Sequence, residues 1–119
     1  MSQVNSRGRR AWTRQAAEFF RRAYRPGDGI LTAAGDVLAV YQAAGIPLRE
    51  TLNDGDRPAF WRTVHRPDLF LRERWVVAVA GDPISFNLTN PRRYASLGER
   101  VAEFSGDREP VIEIYRNRK

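Results

Sequence analysis

Aspartates that follow glycine are the side chains of this sequence best placed to do chemistry. Gly35-Asp36, Gly55-Asp56 and Gly81-Asp82 are three such pairs, and Asp54 precedes the second of them. The pairs lie at the ends of predicted strands, and the carboxyl ends of parallel strands meet at one edge of a sheet. Carboxylates that converge there could bind a divalent cation or the hydroxyl groups of a sugar. The candidate ligand-binding residues are therefore Asp36, Asp54, Asp56 and Asp82.

A simpler role for the same aspartates, which we favour, is to cap the helix that follows each of them. An aspartate at a helix N-terminus accepts a hydrogen bond from a backbone N–H, while the preceding glycine supplies the turn. Carboxylates in that position would also repel a phosphate, so these turns do not suit a phosphate pocket. Capping needs only the local sequence, whereas a ligand site also needs the aspartates to converge. The sequence leaves both interpretations open.

Other groups that commonly carry catalysis are scarce. The absence of cysteine excludes disulfides, thiolate zinc sites, iron–sulfur clusters and cysteine nucleophiles. The single histidine, His65, stands at the end of a predicted helix, and we interpret it as a surface residue rather than a general base. Gly27-Asp28-Gly29 precedes a strand and lacks the third glycine of a dinucleotide-binding loop. We therefore expect no cofactor, assign no metal ligands, and expect no catalysis by the isolated chain.

The positive charge of the chain is concentrated at its N-terminus. The formal net charge is +6, and the first 25 residues, with seven arginines and one glutamate, account for all of it. The remaining 94 residues carry thirteen charges of each sign. An anionic partner is therefore expected to meet the N-terminal segment. Nucleic acid is not the expected partner, because the arginines are confined to one segment and no nucleic-acid-binding motif is present.

The length of 119 residues fits one domain. Residues 1–10 are polar and basic without hydrophobic periodicity, which predicts a disordered leader or linker, and residues 11–119 are predicted to form a single α/β domain. The apolar stripe of the first helix begins at Trp12, and Pro26-Gly27 ends that helix. No apolar run approaches the roughly 20 residues that span a bilayer, so we expect a soluble unit.

The elements after the first helix alternate between strand and helix. Strands are predicted at 29–33, 46–52 and 75–80, and helical segments at 37–44, 58–64, 69–71 and 84–88. Such alternation predicts a mostly parallel, Rossmann-like sheet with helices on both faces. The expected fold is therefore a small three-layer α/β sandwich.

The C-terminal segment changes character. Two runs of alternating polarity, 99–104 and 111–116, are separated by turn-forming residues and predict an antiparallel hairpin. The strand residues predicted to be buried on central parallel strands are Leu31, Val77 and Val79. The helix residues predicted to pack over them are Phe19, Phe20 and Val40.

Several stretches of the sequence resemble a known family. Trp12 opens an amphipathic helix that leads through Pro26-Gly27-Asp28 into the first strand, within the run WTRQAAEFFRRAYRPGDGI. Three further stretches are AGIPLRE (44–50), RPDLFLRERWVVAVAGD (66–82) and EPVIEIYRNR (109–118). Together they resemble the soluble domain that follows the last membrane span of multi-span glycosyltransferases. These enzymes are similar to the dolichyl-phosphate-mannose–protein mannosyltransferases and their bacterial relatives, which use lipid-phosphate sugars.

The resemblance implies a non-catalytic accessory domain of such a membrane enzyme, either detached, a fragment or a stand-alone relative. The catalytic aspartates of the family lie beside its first membrane span, so none is assigned to a position here. The implied partners are the membrane-embedded part of the enzyme or an anionic membrane surface. The implied location is the extracytoplasmic face of a bacterial membrane, or the cytoplasm if this chain is made alone, since no signal peptide is present. The alternative is an independent small-ligand or metal-binding module that uses the aspartates at the sheet edge.

Overall fold

A computed structural model describes residues 2–33, 37–88, 98–105 and 111–117, and for residues 2–12 and residue 88 it describes the backbone alone. The helices are α1 (Ser2–Ala23), α2 (Leu38–Ala44), α3 (Arg57–His65), α4 (Pro67–Phe70) and α5 (Pro83–Leu88). The strands are β1 (Ile30–Thr32), β2 (Thr51–Leu52), β3 (Trp75–Val79), β4 (Gly98–Phe104) and β5 (Ile112–Asn117). Short 3-10 helices at Leu48–Glu50 and Asp54–Asp56 flank β2.

The five strands form one mixed sheet in the order β2-β1-β3-β5-β4. Strand β1 is parallel to both β2 and β3, whereas β5 is antiparallel to β3 and to β4. The predicted C-terminal hairpin is therefore confirmed, but the prediction of a mostly parallel sheet is wrong. The reason is that β5 adds directly to β3, so half of the strand pairings are antiparallel. A continuous apolar run such as Trp75–Val79 indicates coverage on both faces and carries no information about the direction of its neighbours.

Helices cover both faces of this sheet. Successive strand residues point to opposite sides, and the apolar residues on each side form a separate cluster beneath helices. The cluster under α1 and α2 contains Ala16, Phe20, Ile30, Val40, Tyr41, Trp75, Val77, Ile112 and Ile114. The cluster under α3 and α5 contains Leu31, Phe60, Val64, Leu71, Val76, Ala78 and Ile84. The core is thus divided by the sheet into two apolar layers.

The predicted core residues are largely confirmed, but Leu31 lies on the opposite face of the sheet from the helix residues predicted to cover it. Leu31 and Val77 are fully buried, whereas Val79 is half-buried because it ends β3. Phe20 and Val40 pack in the same cluster as Val77. Leu31 lies in the other cluster, because it pairs with a neighbour of Val77 across the parallel ladder and so points to the opposite side.

Helix α1 extends further toward the N-terminus than its apolar stripe predicts. The stripe begins at Trp12, whereas helical backbone begins at Ser2, within the segment interpreted from sequence as a disordered leader or linker. The added turns contain no proline, so nothing in their backbone chemistry stops the helix. Within the described residues, no helix combines the length and apolar character that crossing a membrane requires.

Candidate functional site

Three of the four predicted aspartates lie at the carboxyl edge of the parallel strands. Asp54 and Asp56 belong to the 3-10 helix after β2, and Asp82 lies between β3 and α5. Asp36, which follows β1 in sequence, lies outside the described residues. We call Asp54, Asp56 and Asp82 the acidic edge. Within the described residues, no group of three or more carboxylate or histidine side chains is arranged to hold a metal ion.

Asp82 caps helix α5 and also binds back to β3. Its Oδ1 accepts a hydrogen bond from the backbone N–H of Ser85 at 2.7 Å, and its Oδ2 accepts one from Val79 at 3.0 Å. Burial raises the pKa of Asp82 above its ordinary value, the charge of Asp54 raises it further, and the backbone hydrogen bonds oppose both effects. Both carboxylate oxygens are therefore engaged in holding the turn.

Asp56 does not cap the helix that follows it, in contrast to the capping role predicted for it. Helix α3 receives no side-chain hydrogen bond from Asp56. Instead the Asp56 carboxylate accepts from the backbone N–H of Asn53 at 3.4 Å, while Asn53 Oδ1 accepts from the N–H of Gly55 at 2.8 Å. This reciprocal capping box stabilises the 3-10 helix after β2. The sequence signal for this capping box was Asn53 followed three residues later by the acidic Asp56.

A buried tyrosine lies near the acidic edge. Tyr41 is fully buried, and its hydroxyl donates to Thr32 Oγ1 at 2.7 Å. Thr32 in turn donates to the carbonyl of Ala33 at 3.1 Å. Burial raises the pKa of Tyr41, and the charge of Asp82 adds to that rise. The phenol therefore stays neutral at physiological pH, and it supplies a hydrogen-bond partner for the buried hydroxyl of Thr32.

A second candidate site lies at the opposite, amino edge of β1 and β3. A cavity of about 550 Å³ opens there between the end of α1, the loop before β1, and the ends of β3 and β5. Its charged lining consists of Arg22, Arg25, Arg74, Arg116 and Asp28, with Trp75 as its aromatic wall. We call this the basic cavity. Four arginines and one aspartate line it, which gives the lining a formal charge of +3.

Asp28 joins the loop before β1 to the start of β3. Its Oδ2 accepts from the indole N–H of Trp75 and from the backbone N–H of Arg25, each at 3.0 Å. Its carbonyl accepts from the N–H of Arg74 at 2.8 Å. Trp75 itself packs edge-on against Phe19, with ring centres 5.7 Å apart. The carboxylate of Asp28 therefore serves the framework of the basic cavity.

A tyrosine–carboxylate pair fixes the same loop from its other side. The Tyr24 hydroxyl donates to Glu50 Oε1, which also accepts from the N–H of Gly27 at 2.8 Å. The N–H of Gly29 donates to the Tyr24 oxygen at 3.0 Å. Burial and the bond to Glu50 raise the pKa of Tyr24 to about 12, while the bonds from Tyr24 and Gly27 lower the pKa of Glu50.

Two glycines allow the loop to take this path. Gly27 and Gly29 have φ angles of 92° and 80°, in the left-handed region that side chains disfavour. A Cβ atom on Gly29 would also lie 3.2 Å from Cγ of Glu73. The segment Gly27-Asp28-Gly29 is thus a tight turn that carries Arg25 and Asp28 to the cavity.

Charge counting along the sequence missed the basic cavity. Arg22 and Arg25 belong to the basic N-terminal segment, whereas Arg74 and Arg116 belong to the neutral remainder. His65 ends α3 as an exposed residue, as predicted, and lines neither the acidic edge nor the basic cavity.

Comparison with protein-family models, with curated proteins and with solved structures found no match to this chain.

Proposed function

We propose that this chain is a non-catalytic accessory domain of a lipid-phosphate-sugar-dependent membrane glycosyltransferase and that α1 meets an anionic membrane surface. The observation that carries the membrane part is the division of α1 into two faces. Ala16, Ala17 and Phe20 are buried against the sheet, whereas Arg14 and Arg22 are exposed. The glycosyltransferase part is supported by the family resemblance of residues 11–118.

Electrostatics gives the physical reason why the exposed face of α1 would meet an anionic membrane surface. A basic residue near an anionic bilayer surface contributes about 1 kcal/mol, and the attraction fades within a Debye length. Arg21 is tied to its own helix by an ion pair with Glu18 and also donates to the carbonyl of Ala43 at 2.7 Å. The remaining α1 arginines are exposed or belong to the N-terminal turns. A helix that lies flat on the surface would bring most of them within reach of lipid phosphates.

The sheet adds one structural element to the proposal. Helix α2 connects β1 to β2 on one face, and α3 lies between β2 and β3 on the other face. Together with the order β2-β1-β3, this winding supports a Rossmann-like relationship for the first half of the domain. The C-terminal hairpin is then an addition to the β3 edge of that unit.

Vesicle binding tests the membrane part. Deletion of residues 1–10 removes three arginines, and the triple variant Arg49→Gln/Arg57→Gln/Arg62→Gln removes three exposed arginines from outside α1. We expect the deletion to weaken co-sedimentation with phosphatidylglycerol vesicles by about 10- to 100-fold. The matched triple variant should bind almost as the parent chain does, and circular dichroism verifies that both remain folded. Equal losses in the two variants would contradict the proposal.

The alternative function, a small-ligand or metal-binding module at the acidic edge, is less well supported. Both oxygens of Asp82 already accept backbone hydrogen bonds, and Asp56 is engaged with Asn53. A cation would have to compete with these bonds. The nearness of Asp54 to Asp82 is the observation in its favour. Burial raises the pKa of Asp82, the charge of Asp54 adds to that rise, and a cation between the two carboxylates would relieve their repulsion.

A further inference from the structure

We propose that the basic cavity binds a phosphate group carried on a larger molecule. This goes beyond the proposed membrane contact, because it assigns a specific site at the amino edge of the sheet instead of a diffuse surface attraction. Four arginines from separate parts of the chain line this cavity. They come from α1 (Arg22), from the loop after it (Arg25), and from the end regions of β3 (Arg74) and β5 (Arg116).

The chemistry of arginine favours a phosphate as the ligand. The guanidinium is always charged and presents a planar fork of donors that matches two phosphate oxygens. The net charge of +3 in the lining falls to +2 when Glu99, which pairs with Arg116 at 3.3 Å, is included. A phosphate monoester carries about −1.5 to −2 at neutral pH, so the two charges are complementary.

The carboxylates beside the cavity leave two of its arginines available. Asp28 is committed to Trp75 and to the backbone of Arg25. Within the described part of the chain, neither Arg22 nor Arg25 forms an ion pair, whereas Arg116 contacts Glu99 through a single exposed pair. A phosphate would therefore meet at least two guanidinium groups without displacing an existing partner.

The framework around the cavity is held in place before any ligand arrives. The bonds of Glu50 to Tyr24 and Gly27 fix the loop on one side, and those of Asp28 to Trp75 fix it on the other. Little backbone ordering is then needed on binding, which favours affinity. The volume of about 550 Å³ falls within the range of small-molecule sites and exceeds what a phosphate ion fills. The ligand is therefore a phosphate or diphosphate group attached to a further moiety.

Calorimetry with the full chain tests this proposal. The probes are inorganic pyrophosphate and a hexose 6-phosphate, with the unphosphorylated hexose as the neutral comparison. We expect both phosphates to bind at low salt and the hexose not to bind. Arg25→Gln/Arg74→Gln should weaken binding at least tenfold, because each substitution removes a charged donor while the backbone bonds of both residues remain. Arg25→Lys/Arg74→Lys keeps the charge but loses the planar fork of donors. Its affinity should lie between that of the parent chain and that of Arg25→Gln/Arg74→Gln.

Arg49→Gln/Arg57→Gln is the matched control, because it removes the same charge from exposed positions outside the cavity. Equal weakening in both double variants would overturn the proposal, as would the failure of both soluble phosphates and of phosphatidic acid vesicles to bind. Vesicles containing phosphatidic acid distinguish the source of the group. Binding to them that is lost in Arg25→Gln/Arg74→Gln, without binding of the soluble probes, identifies a lipid headgroup. Binding of the hexose phosphate identifies a soluble ligand.

Failure of this site and failure of the membrane proposal are distinguishable. Deletion of residues 1–10 leaves the lining of the basic cavity intact, so pyrophosphate binding should survive it. The cavity variant keeps the N-terminal arginines, so it should still bind phosphatidylglycerol vesicles. If pyrophosphate binding is lost on deletion of residues 1–10 and kept in the cavity variant, the anion is held by the N-terminal segment and the cavity proposal fails.

Discussion

The acidic edge and the basic cavity lie at opposite ends of the same parallel strands, and they use their charged side chains differently. At the acidic edge, Asp82 and Asp56 accept hydrogen bonds from backbone groups within three residues of themselves. At the basic cavity, Arg22 and Arg25 line a shared space instead. The first arrangement completes local structure, whereas the second is open to a ligand.

Side-chain length explains the contrast. An aspartate is short enough to reach nearby backbone N–H groups, so it readily satisfies itself within a turn. An arginine is long and only donates, so it must find acceptors elsewhere or remain solvated. A row of aspartates at strand ends is therefore weak support for a ligand site. Arginines gathered from distant segments around a cavity are a stronger indication of one.

The largest effect is expected from breaking the sheet that supports both edges. Val77 is fully buried at the centre of β3. Val77→Asp places an unpaired carboxylate among apolar neighbours and should cost about 4 kcal/mol or more. Val77→Thr keeps the shape and should cost clearly less. Chemical denaturation measures both, and a melting temperature of Val77→Asp within a few degrees of the parent chain would contradict the assignment of β3 to the core.

A smaller effect is expected from loosening the basic cavity without changing its charge. Tyr24→Phe removes the hydroxyl that joins Glu50 to Gly29, and should cost about 1–2 kcal/mol in unfolding free energy. It should also weaken pyrophosphate binding several-fold, because the loop that carries Arg25 loses its anchor. Tyr115→Phe makes the same chemical change on β5 and should leave pyrophosphate binding unaltered. Equal affinities of Tyr24→Phe and the parent chain would show that this anchor does not organise the cavity.

The same tyrosine gives a pH dependence of known sign. The folded pKa of Tyr24 is raised from 10.0 to about 12, so the unfolded chain loses this proton first as the pH rises. The stability that the hydroxyl contributes is therefore complete below pH 10.0 and is lost as the pH rises toward about 12. The stability difference between the parent chain and Tyr24→Phe should shrink over that interval. Denaturation at several alkaline pH values measures it.

The smallest effect is expected at the acidic edge. Asp56→Asn should cost about 1 kcal/mol or less, because the hydrogen bond from the backbone N–H of Asn53 needs only one side-chain oxygen, which asparagine keeps. Titration of the parent chain with calcium, magnesium, manganese and simple sugars should give no heat of binding. A tight signal that disappears in Asp36→Asn or Asp82→Asn would reverse the comparison. It would make the acidic edge the ligand site and favour the independent binding module.

The secondary structure was predictable where one local cause decides it. The stripe that ends at Ala44 predicted α2, and Gly45 ends that helix in the left-handed conformation with its N–H bonded to Gln42. The apolar run from Trp75 likewise predicted β3 almost to the residue. The segment 46–52 was harder, because three of its seven residues form a 3-10 helix and only Thr51–Leu52 pairs with β1.

The candidate sites were less predictable, because they depend on which segments meet. The aspartates were visible as Gly-Asp pairs, but only the hydrogen bonds revealed that Asp82 holds its own turn and that Asp56 reaches back to Asn53. The basic cavity left no signal in a charge count. Arg74 and Arg116 stand 42 positions apart in a segment of zero net charge.

The sequence by itself determined most of the helices and strands, the coverage of both faces of the sheet, and the C-terminal hairpin. These features follow from periodicity, turn residues and composition, which act over a few neighbouring positions. The tertiary structure alone decided that β5 pairs with β3, which made the sheet mixed. That same pairing brings Arg116 into the lining of the basic cavity with Arg74. Local sequence could not decide it, because strand order is set by the packing of distant segments.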